Sequence, residues 1–374
     1  MMLSIGIVGL PNVGKSTLFN ALTKNRVLAA NYPFATIEPN TGVVNVPDER
    51  IYTLAKISQS TKVIPAAVTF VDIAGIVRGA SKGEGLGNKF LSHIRESNVI
   101  TQVVRAFEND DIVHVEGKID PERDIEIIRT ELCLADLASV TKKLETLQKE
   151  LKSNPKIIGD IQTLEEAKKI LDSNSLLSRH PELDSGSRTK QIPDRAWDDK
   201  WAVLADLQLL TIKPFMYVFN IDEATLSNSS KQAELAKLVE GSKCIFLCAQ
   251  IETELQDMPE EDAKELLESL GQSESGLETL IRLGYQTLGY ISYFTTGPVE
   301  SRAWTIPAGA TAPQAAGVIH TDFEKGFIKA EVVDYSSFVS GSGWAGAGTA
   351  GKVRLEGKDY IMQDGDIVVF RHNV

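Results

Sequence analysis

The stretch Ile5–Ala21, IGIVGLPNVGKSTLFNA, constrains this chain more than any other part of it. Its apolar start, Ile5-Gly6-Ile7-Val8, reads as a buried parallel strand. Gly9-x4-Gly14-Lys15-Ser16 follows with the complete phosphate-loop spacing, and a helical pattern begins near Lys15. Successive backbone N–H groups from Gly9 to Lys15 can wrap a phosphate only where no side chain blocks the approach. The helix starting near Lys15 aims its positive end at the same phosphate. Lys15 reaches the outer phosphates, and the Ser16 hydroxyl is placed to ligate Mg²⁺. Asn12, Val13, Gly14, Lys15, Ser16 and Thr17 are therefore the expected phosphate-binding residues of a nucleoside triphosphate site. A chance glycine-rich turn between a strand and a helix would not need the whole pattern.

A chain of 374 residues accommodates two or three domains around such a site. Hydrophobic content of 43% and charged content of 24% are those of a globular protein. No apolar run approaches the ~20 residues of a membrane span. The first residues lead straight into the phosphate-loop strand, which leaves no room for a signal peptide. The expectation is a cytoplasmic protein with no membrane partner. A net charge of −12 argues against a general nucleic-acid coat, and no specific DNA partner is expected. The three cysteines, Cys133, Cys244 and Cys248, suit a reducing compartment. Cys244 and Cys248 bracket Ile245-Phe246-Leu247 with no histidine nearby, so they read as buried structural thiols rather than a metal or redox pair.

Two further stretches complete the phosphate end of the site. Thr36, in the expected loop Asn31-Tyr32-Pro33-Phe34-Ala35-Thr36, lies about twenty residues beyond Ser16. It resembles the switch I threonine of GTPase-like proteins, which closes over Mg²⁺ and the γ-phosphate. The apolar run Val68–Val71 ends in Asp72, and Gly75 follows three residues later. Asp72 is expected in the outer shell of Mg²⁺, with the Gly75 N–H sensing the γ-phosphate. The glycines at 75, 79, 83, 85 and 87 suit a segment that orders and disorders with nucleotide state. Ile76 stands where many small GTPases carry a glutamine that orients the attacking water. Isoleucine cannot do this, so either hydrolysis is slow or another group supplies the contact. His114, in the loop Asp110–Gly117, is a candidate, because an imidazole suits water positioning or proton transfer.

From Asp124 to Leu151 apolar residues recur at spacings of 3 and 4, which predicts an amphipathic helix of ~40 Å. Further helical patterns run from Ile161 to Leu177 and from Trp197 to Leu210. These lengths fit an antiparallel helical hairpin inserted in the nucleotide domain, serving as a rigid spacer or as an arm that docks on a large partner. Ser178–Arg195 is polar, contains Pro181 and Pro193 and lacks periodicity, so it reads as a surface loop or inserted element.

The run Lys213–Phe219 returns to a buried strand and ends in Asn220-Ile221-Asp222-Glu223. In guanine-specific proteins of this class the strand ends in Asn-Lys-x-Asp, whose aspartate accepts from guanine N1 and N2. Here the lysine position is Ile221 and the aspartate position is Glu223. A site that lacks the hydrogen-bonding clamp loses its large preference for guanine, and adenine is admitted. Asn220 and the Ile221 backbone remain available to a purine. The alternative is that Glu223 reaches far enough to replace the aspartate. Beyond Leu288, short strand-like runs alternate with a short helix at Ala312–Ile319, which suggests a small mixed β domain. Gly341–Gly351, GSGWAGAGTAG, reads as a flexible loop within it.

These residues together resemble the YchF or Obg-like ATPase family of Obg-related phosphate-loop proteins. The resemblance is carried by GLPNVGKST at Gly9–Thr17, NYPFATIEPN at Asn31–Asn40 and DIAGIVRGASKGEGLGNKFLSHIRE at Asp72–Glu96. HVEGKIDPERDIEII at His114–Ile128, NIDE at Asn220–Glu223, AWTIPAGATAPQAAGVIHTDFEKGFIKAEV at Ala303–Val332 and GKDYIMQDGD at Gly357–Asp366 extend it through nearly the whole chain. Ser178–Arg195 and the Gly341 stretch depart from the pattern. The resemblance implies an α/β phosphate-loop NTPase domain of G-protein type over 1–123 and 211–288. It implies an inserted antiparallel helical arm over 124–210, to which the departing stretch 178–195 adds an extra loop. It also implies a C-terminal TGS domain of ubiquitin-like β-grasp type over 289–374. It further implies ATP over GTP, slow intrinsic hydrolysis, a catalytic role for His114 beside Lys15, and K⁺ near the phosphates through Asn12. The implied partner is the ribosome, as 70S particle and large subunit, in translation and stress responses.

The expectation is thus an ATP-hydrolysing switch protein that binds ribosomes. Ser16, Thr36 and Asp72 serve Mg²⁺, and Gly75, Asn220, Ile221 and Glu223 complete the nucleotide contacts. A GTP-specific ribosome-assembly factor is the alternative that base preference separates. A nucleotide-gated binding protein with incidental hydrolysis, or an RNA-binding module led by the C-terminal domain, are the alternatives from other classes.

Overall fold

Residues 4–24, 40–73, 86–109, 117–177 and 202–373 are described by the computed structural model. Thr36, Gly75, Ile76, His114 and the 178–195 insert lie outside the described residues. In chain order the strands are β1 (Ser4–Val8), β2 (Thr41–Asn45), β3 (Lys62–Ile64), β4 (Ala67–Asp72), β5 (Val99–Ala106) and β6 (Phe215–Ile221). They continue with β7 (Lys243–Leu247), β8 (Tyr290–Thr296), β9 (Glu300–Pro307), β10 (Phe327–Val333), β11 (Arg354–Glu356) and β12 (Ile367–His372). Five helices carry labels: α1 (Lys15–Lys24), α2 (Glu49–Ser58), α3 (Leu86–Glu96), α4 (Pro121–Glu150) and α5 (Ile158–Asp172). The chain divides into two compact units, Met1–Val44 with Thr69–Leu280, and Asn45–Val68 with Ile281–Val374.

The first unit is built on a sheet of order β2-β4-β1-β5-β6-β7. β1 runs parallel to β4 and β5, and β6 runs parallel to β5 and β7. Such strands are covered on both faces, which is why they read as continuous apolar runs. Ile5, Ile7, Val8, Val104, Val218 and Phe219 are all fully buried. The register pairs Ile7 with Asp72 and Ala106 with Ile221, so the strands end together and their loops gather at one edge. Open α/β sheets bind ligands in the crevice outside the carboxyl ends of their strands.

α4 begins with Asp120 accepting from the Arg123 N–H at 3.2 Å and with Pro121 in its first turn. Its thirty residues span ~45 Å. Val140, Leu144 and Leu147, at spacings of 4 and 3, pack with Ile161, Leu164, Ala167 and Leu171 of α5. α5 ends earlier than its periodicity predicts, at Asp172, because Asn174 turns the chain with a φ of 57°. Of the helix expected up to Leu210, the described part is Ala202–Ala205, and Gln208 leaves it with a φ of 48°. The fully buried Asp136 of α4 accepts from Leu210 N at 3.0 Å and from Thr211 N and Oγ1, both at 2.7 Å. It fastens the lead-in to β6 against the long helix.

The second unit holds a sheet of order β11-β10-β12-β8-β9-β3. β8 and β9 form an antiparallel pair, β12 lies parallel to β8, and β10 is antiparallel to β11 and β12. One core gathers Tyr293, Ile306, Ala330, Val332 and Val368 with Ala312, Ala315 and Ala316 of the helix Ala312–Ile319. That helix starts where expected, with the Gln314 side chain accepting from Thr311 N at 2.8 Å and Pro313 in the first turn. Residues 45–68, which the sequence reading leaves inside the nucleotide segment, cluster with this unit. β3 pairs in parallel with β9, Thr61 N donates to Pro298 O at 3.0 Å, and Arg50 binds Asp364 at 2.7 Å.

The expected flexible loop at Gly341–Gly351 is corrected. Helices occupy Tyr335–Ser340 and Trp344–Thr349, and the Trp344 ring stands edge-on to Phe338 at 5.7 Å. The glycines there permit close packing rather than mobility. A Cβ on Gly346 would come within 1.9 Å of Gly341 O.

Candidate functional site

The carboxyl end of β1 passes into the loop 9–14 and then into α1, as the sequence spacing requires. Val13 is buried at 1% exposure, whereas Asn12, Ser16 and Thr17 are exposed. Asn12 sits in the left-handed region with a φ of 63°, and Gly14 has a φ of 90°. A side chain at Gly14 is doubly excluded, since a Cβ there would also lie 2.2 Å from Asn220 Nδ2. The Leu18 N–H reaches Gly14 O at 2.9 Å, which closes the first turn of α1 behind the loop.

Lys15 forms an ion pair with Asp72, the last residue of β4. Their side chains are only 10% and 16% exposed, so this pair is sheltered from the screening that weakens surface ion pairs. The two motifs therefore meet at one point, although 57 residues separate them. The Ser16 hydroxyl at the start of α1 and the Asp72 carboxylate are oxygen donors of the kind Mg²⁺ takes. These residues fit that ion.

At the other end of the crevice, Asn220 is 4% exposed and doubly engaged. Its Nδ2 donates to Val13 O at 3.0 Å, and its Oδ1 accepts from Ala249 N at 3.0 Å. The residue expected to face a base thus also ties the phosphate loop to the loop after β7. The Ile221 side chain is 1% exposed and points into the core, so its backbone is what it offers to a ligand. Asp222 caps the short helix Glu223–Leu226, accepting from Thr225 N at 2.8 Å. Glu223 is exposed at the first position of that helix.

Three residues at or near this end were not identified from the sequence. Arg105 lies near the end of β5 inside the run VITQVVRA and is fully buried. Phe107 follows two residues later, half-buried, with the Arg105 guanidinium 4.5 Å from its ring centre. Glu252, in the helix Ala249–Leu255, accepts from Gly276 N at 2.7 Å and Leu277 N at 3.3 Å. Burial pushes its carboxyl up to about 7, against the pull of those two N–H groups. An unusual arginine in an apolar run was the available signal for Arg105; Glu252 had none, because its partners are 24 and 25 residues away.

Cys133 and Cys248 are buried free thiols, and Cys244 is half-buried and free. Burial raises all three, Cys133 to about 12, which removes them from thiolate chemistry near neutrality. A cavity of about 290 Å³, lined by Gln232, Cys244, Phe246, Glu252, Leu267 and others, contains no phosphate-loop residue. Among the described residues, no helix is long and apolar enough to cross a membrane.

Comparison with known proteins bears out the phosphate-loop α/β fold. A family model described as 50S ribosome-binding GTPase matches residues 4–158. The YchF-GTPase C-terminal model, described as a protein of unknown function (DUF933), matches residues 290–373. A curated relative from Haemophilus ducreyi, named ribosome-binding ATPase YchF, is 51% identical over 372 residues, covering 99% of each chain. The protein of the same name from Bacillus subtilis is 47% identical over 380 residues, covering all of both chains. Among solved structures, the Schizosaccharomyces pombe YchF GTPase superposes with a TM-score of 0.83 at 38% identity. That match covers 99% of this chain and 97% of the other. A GTP binding protein from Pyrococcus horikoshii, at 20% identity and a TM-score of 0.59, shares the fold.

Proposed function

The chain belongs to the YchF family, with its phosphate-loop α/β fold, and from that premise we propose that it is an ATP-hydrolysing switch protein that binds the ribosome. The observation that carries the choice of ATP is the state of Asn220-Ile221-Asp222-Glu223. Asp222 is occupied by a helix cap, Ile221 buries its side chain where a lysine stem would cover the base, and Glu223 is exposed. No aspartate stands at the guanine-clamp position, so adenine is not at a disadvantage. The names of the relatives above, ribosome-binding ATPases, support the same reading. The GTPase descriptions of the matched family model and of the fission-yeast structure favour the second reading, a GTP-specific ribosome-assembly factor with Glu223 acting as the clamp.

In this mechanism Asn12, Val13, Gly14, Lys15, Ser16 and Thr17 hold the phosphates. Lys15 exchanges Asp72 for the outer phosphates when nucleotide enters, and Asp72 is thereby freed. Ser16 and Thr36, with Asp72 in the outer shell, would hold Mg²⁺, and the ion would supply neutralisation of phosphate charge. Gly75 senses the γ-phosphate and His114 positions water. The same reading places K⁺ beside the phosphates at Asn12, and turnover in KCl against NaCl tests that assignment. Asn220 holds the base loop and phosphate loop in register, and the Ile221 backbone meets the base. Phosphoryl transfer needs mainly positioning and charge neutralisation, which this set supplies.

We read α4 and α5 as the core of an antiparallel helical arm over 124–210, with 178–195 as a loop upon it. The second unit's sheet is read as a TGS domain of β-grasp type from about 289 to 374, with its β8–β9 hairpin, covering helix and central β12–β8 parallel pair. The partner is the 70S ribosome and its large subunit, in the cytoplasm. The deciding experiment is calorimetry with Mg²⁺ and non-hydrolysable ATP and GTP analogues, followed by co-sedimentation with 70S particles and large subunits. Tighter ATP binding with nucleotide-dependent sedimentation is expected; tighter GTP binding transfers the protein to the second reading.

A further inference from the structure

A buried cation stands at the base end of this site without a role in the mechanism above. Arg105 is fully buried and faces Asn220 across the β5–β6 register. Its Nε donates to Phe107 O at 3.3 Å and its Nη2 to Asn109 O at 3.1 Å. Its guanidinium also lies over the Phe107 ring, 4.5 Å from the centre. Burial lowers its pKa, and the charge of Asp124, in the first turn of α4, opposes that only in part.

Removing an arginine from water is costly unless its charge and donors are matched. Here two of the matches are backbone carbonyls of the turn 107–109, groups that a surface turn normally leaves to solvent. The planar fork suits two carbonyls and a ring face at once; a lysine ammonium offers a point charge and no stacking plane. The turn leaves the sheet beside the base loop, because Ala106 is in register with Ile221.

We propose that Arg105 is a positioning residue for the nucleoside end of the site, fixing the 107–109 turn, and with it Phe107, where the chain leaves β5 just past the register partner of Ile221. The inference rests on the nucleotide reading of the site. The phosphate loop is held separately, by Asn220 on Val13 and by the start of α1. Arg105 therefore matters for the nucleoside and not for the phosphate chain.

The test uses the full chain with Arg105→Lys and Arg105→Met. Calorimetry measures the affinity of a non-hydrolysable ATP analogue and of inorganic tripolyphosphate, both with Mg²⁺, on the same folded preparations. The expected result is about tenfold weaker binding of the ATP analogue, more for Met than for Lys, with tripolyphosphate unchanged within about twofold. A general packing role moves both affinities together, and that result, or no change in either, overturns the proposal. Should neither variant fold, Phe107→Ala must produce the same split, and its absence overturns the proposal equally. Wild-type protein that binds ATP no better than tripolyphosphate removes the nucleoside site itself, and with it the role given to Arg105.

Discussion

Gly14 in the first unit and Gly346 in the second both stand where a side chain does not fit, and what fills the space differs. At Gly14 the occupant is the Asn220 amide, 2.2 Å from where a Cβ would be, and φ is 90°. The loop's inner side is thereby tied down against β6. At Gly346 the occupant is the backbone of Gly341, 1.9 Å from the Cβ position, and two short helices meet with nothing between them. A glycine-rich run marks close approach in both cases. The first closes a side chain against a loop that leads into α1, and the second closes backbone against backbone in a packing seam.

A pair of helix-capping carboxylates repeats the contrast. Glu252 caps Gly276–Thr287 from inside the first unit, and burial raises it to about 7. Asp334 caps Tyr335–Ser340 on the surface of the second, where the Ser336 hydroxyl at 2.6 Å and Ser337 N at 2.9 Å hold it down at about 2. The task is the same and the environment sets opposite protonation behaviour.

Four substitutions probe these contrasts. Lys15→Ala should lower phosphate release about 100- to 1000-fold and leave the second unit's unfolding unchanged. Near-normal turnover in that variant would remove the phosphate-loop assignment. Gly346→Ala should do the reverse: about 3 kcal/mol lost from the second unit in urea unfolding, with ATP affinity retained. Equal stability would mean that the two helices separate easily and that the seam is loose.

Glu252→Gln tests the buried cap through its pH dependence. A raised carboxyl contributes stability that is present below its unfolded value near 4.5 and is lost as pH rises through about 7. Between pH 5 and pH 8 the wild-type chain should lose about 2 kcal/mol relative to Glu252→Gln. A constant difference across that window would show that the carboxyl ionises as in water. Asp334→Ala should have the smallest effect, about 1 kcal/mol for the lost cap. Because its carboxyl is lowered, that contribution is present above an unfolded value near 3.8 and lost as pH falls through about 2. Thermal unfolding at pH 7 and pH 2 measures the change.

Much of the nucleotide end was legible because its chemistry is local. Gly9 to Thr17 must be contiguous to wrap a phosphate, and Asp72 ends an apolar strand, so spacing and periodicity reveal both. That Lys15 and Asp72 bind one another was not legible, since it depends on β1 lying beside β4. Asn220 was expected from its motif to face a base. Its two backbone tethers come from Val13 and Ala249, far away in sequence. Arg105 was hidden in a strand that otherwise reads as core. In the second unit, the strands followed from short strand-like runs and the helix at Ala312 from Pro313 near its start; the Thr311–Gln314 cap emerged only in the fold. The Gly341–Gly351 stretch was misread because composition reports flexibility in the unfolded chain, while backbone-to-backbone packing appears only in the fold.

The placement of residues 45–68 in the second unit has a consequence for the order of assembly during synthesis. β3 is made early, yet its partner β9 emerges roughly 240 residues later. At about 5–20 residues per second, on the order of ten seconds or more passes before Ile64 can pair with Arg302. Throughout that interval Ile51 and Leu54 of α2, buried in the finished protein beside β8 and β9, have no cover from those strands. The nascent nucleotide unit must carry this apolar segment as an open loop until the C-terminal strands arrive, and a ribosome stalled before residue 290 would hold it exposed.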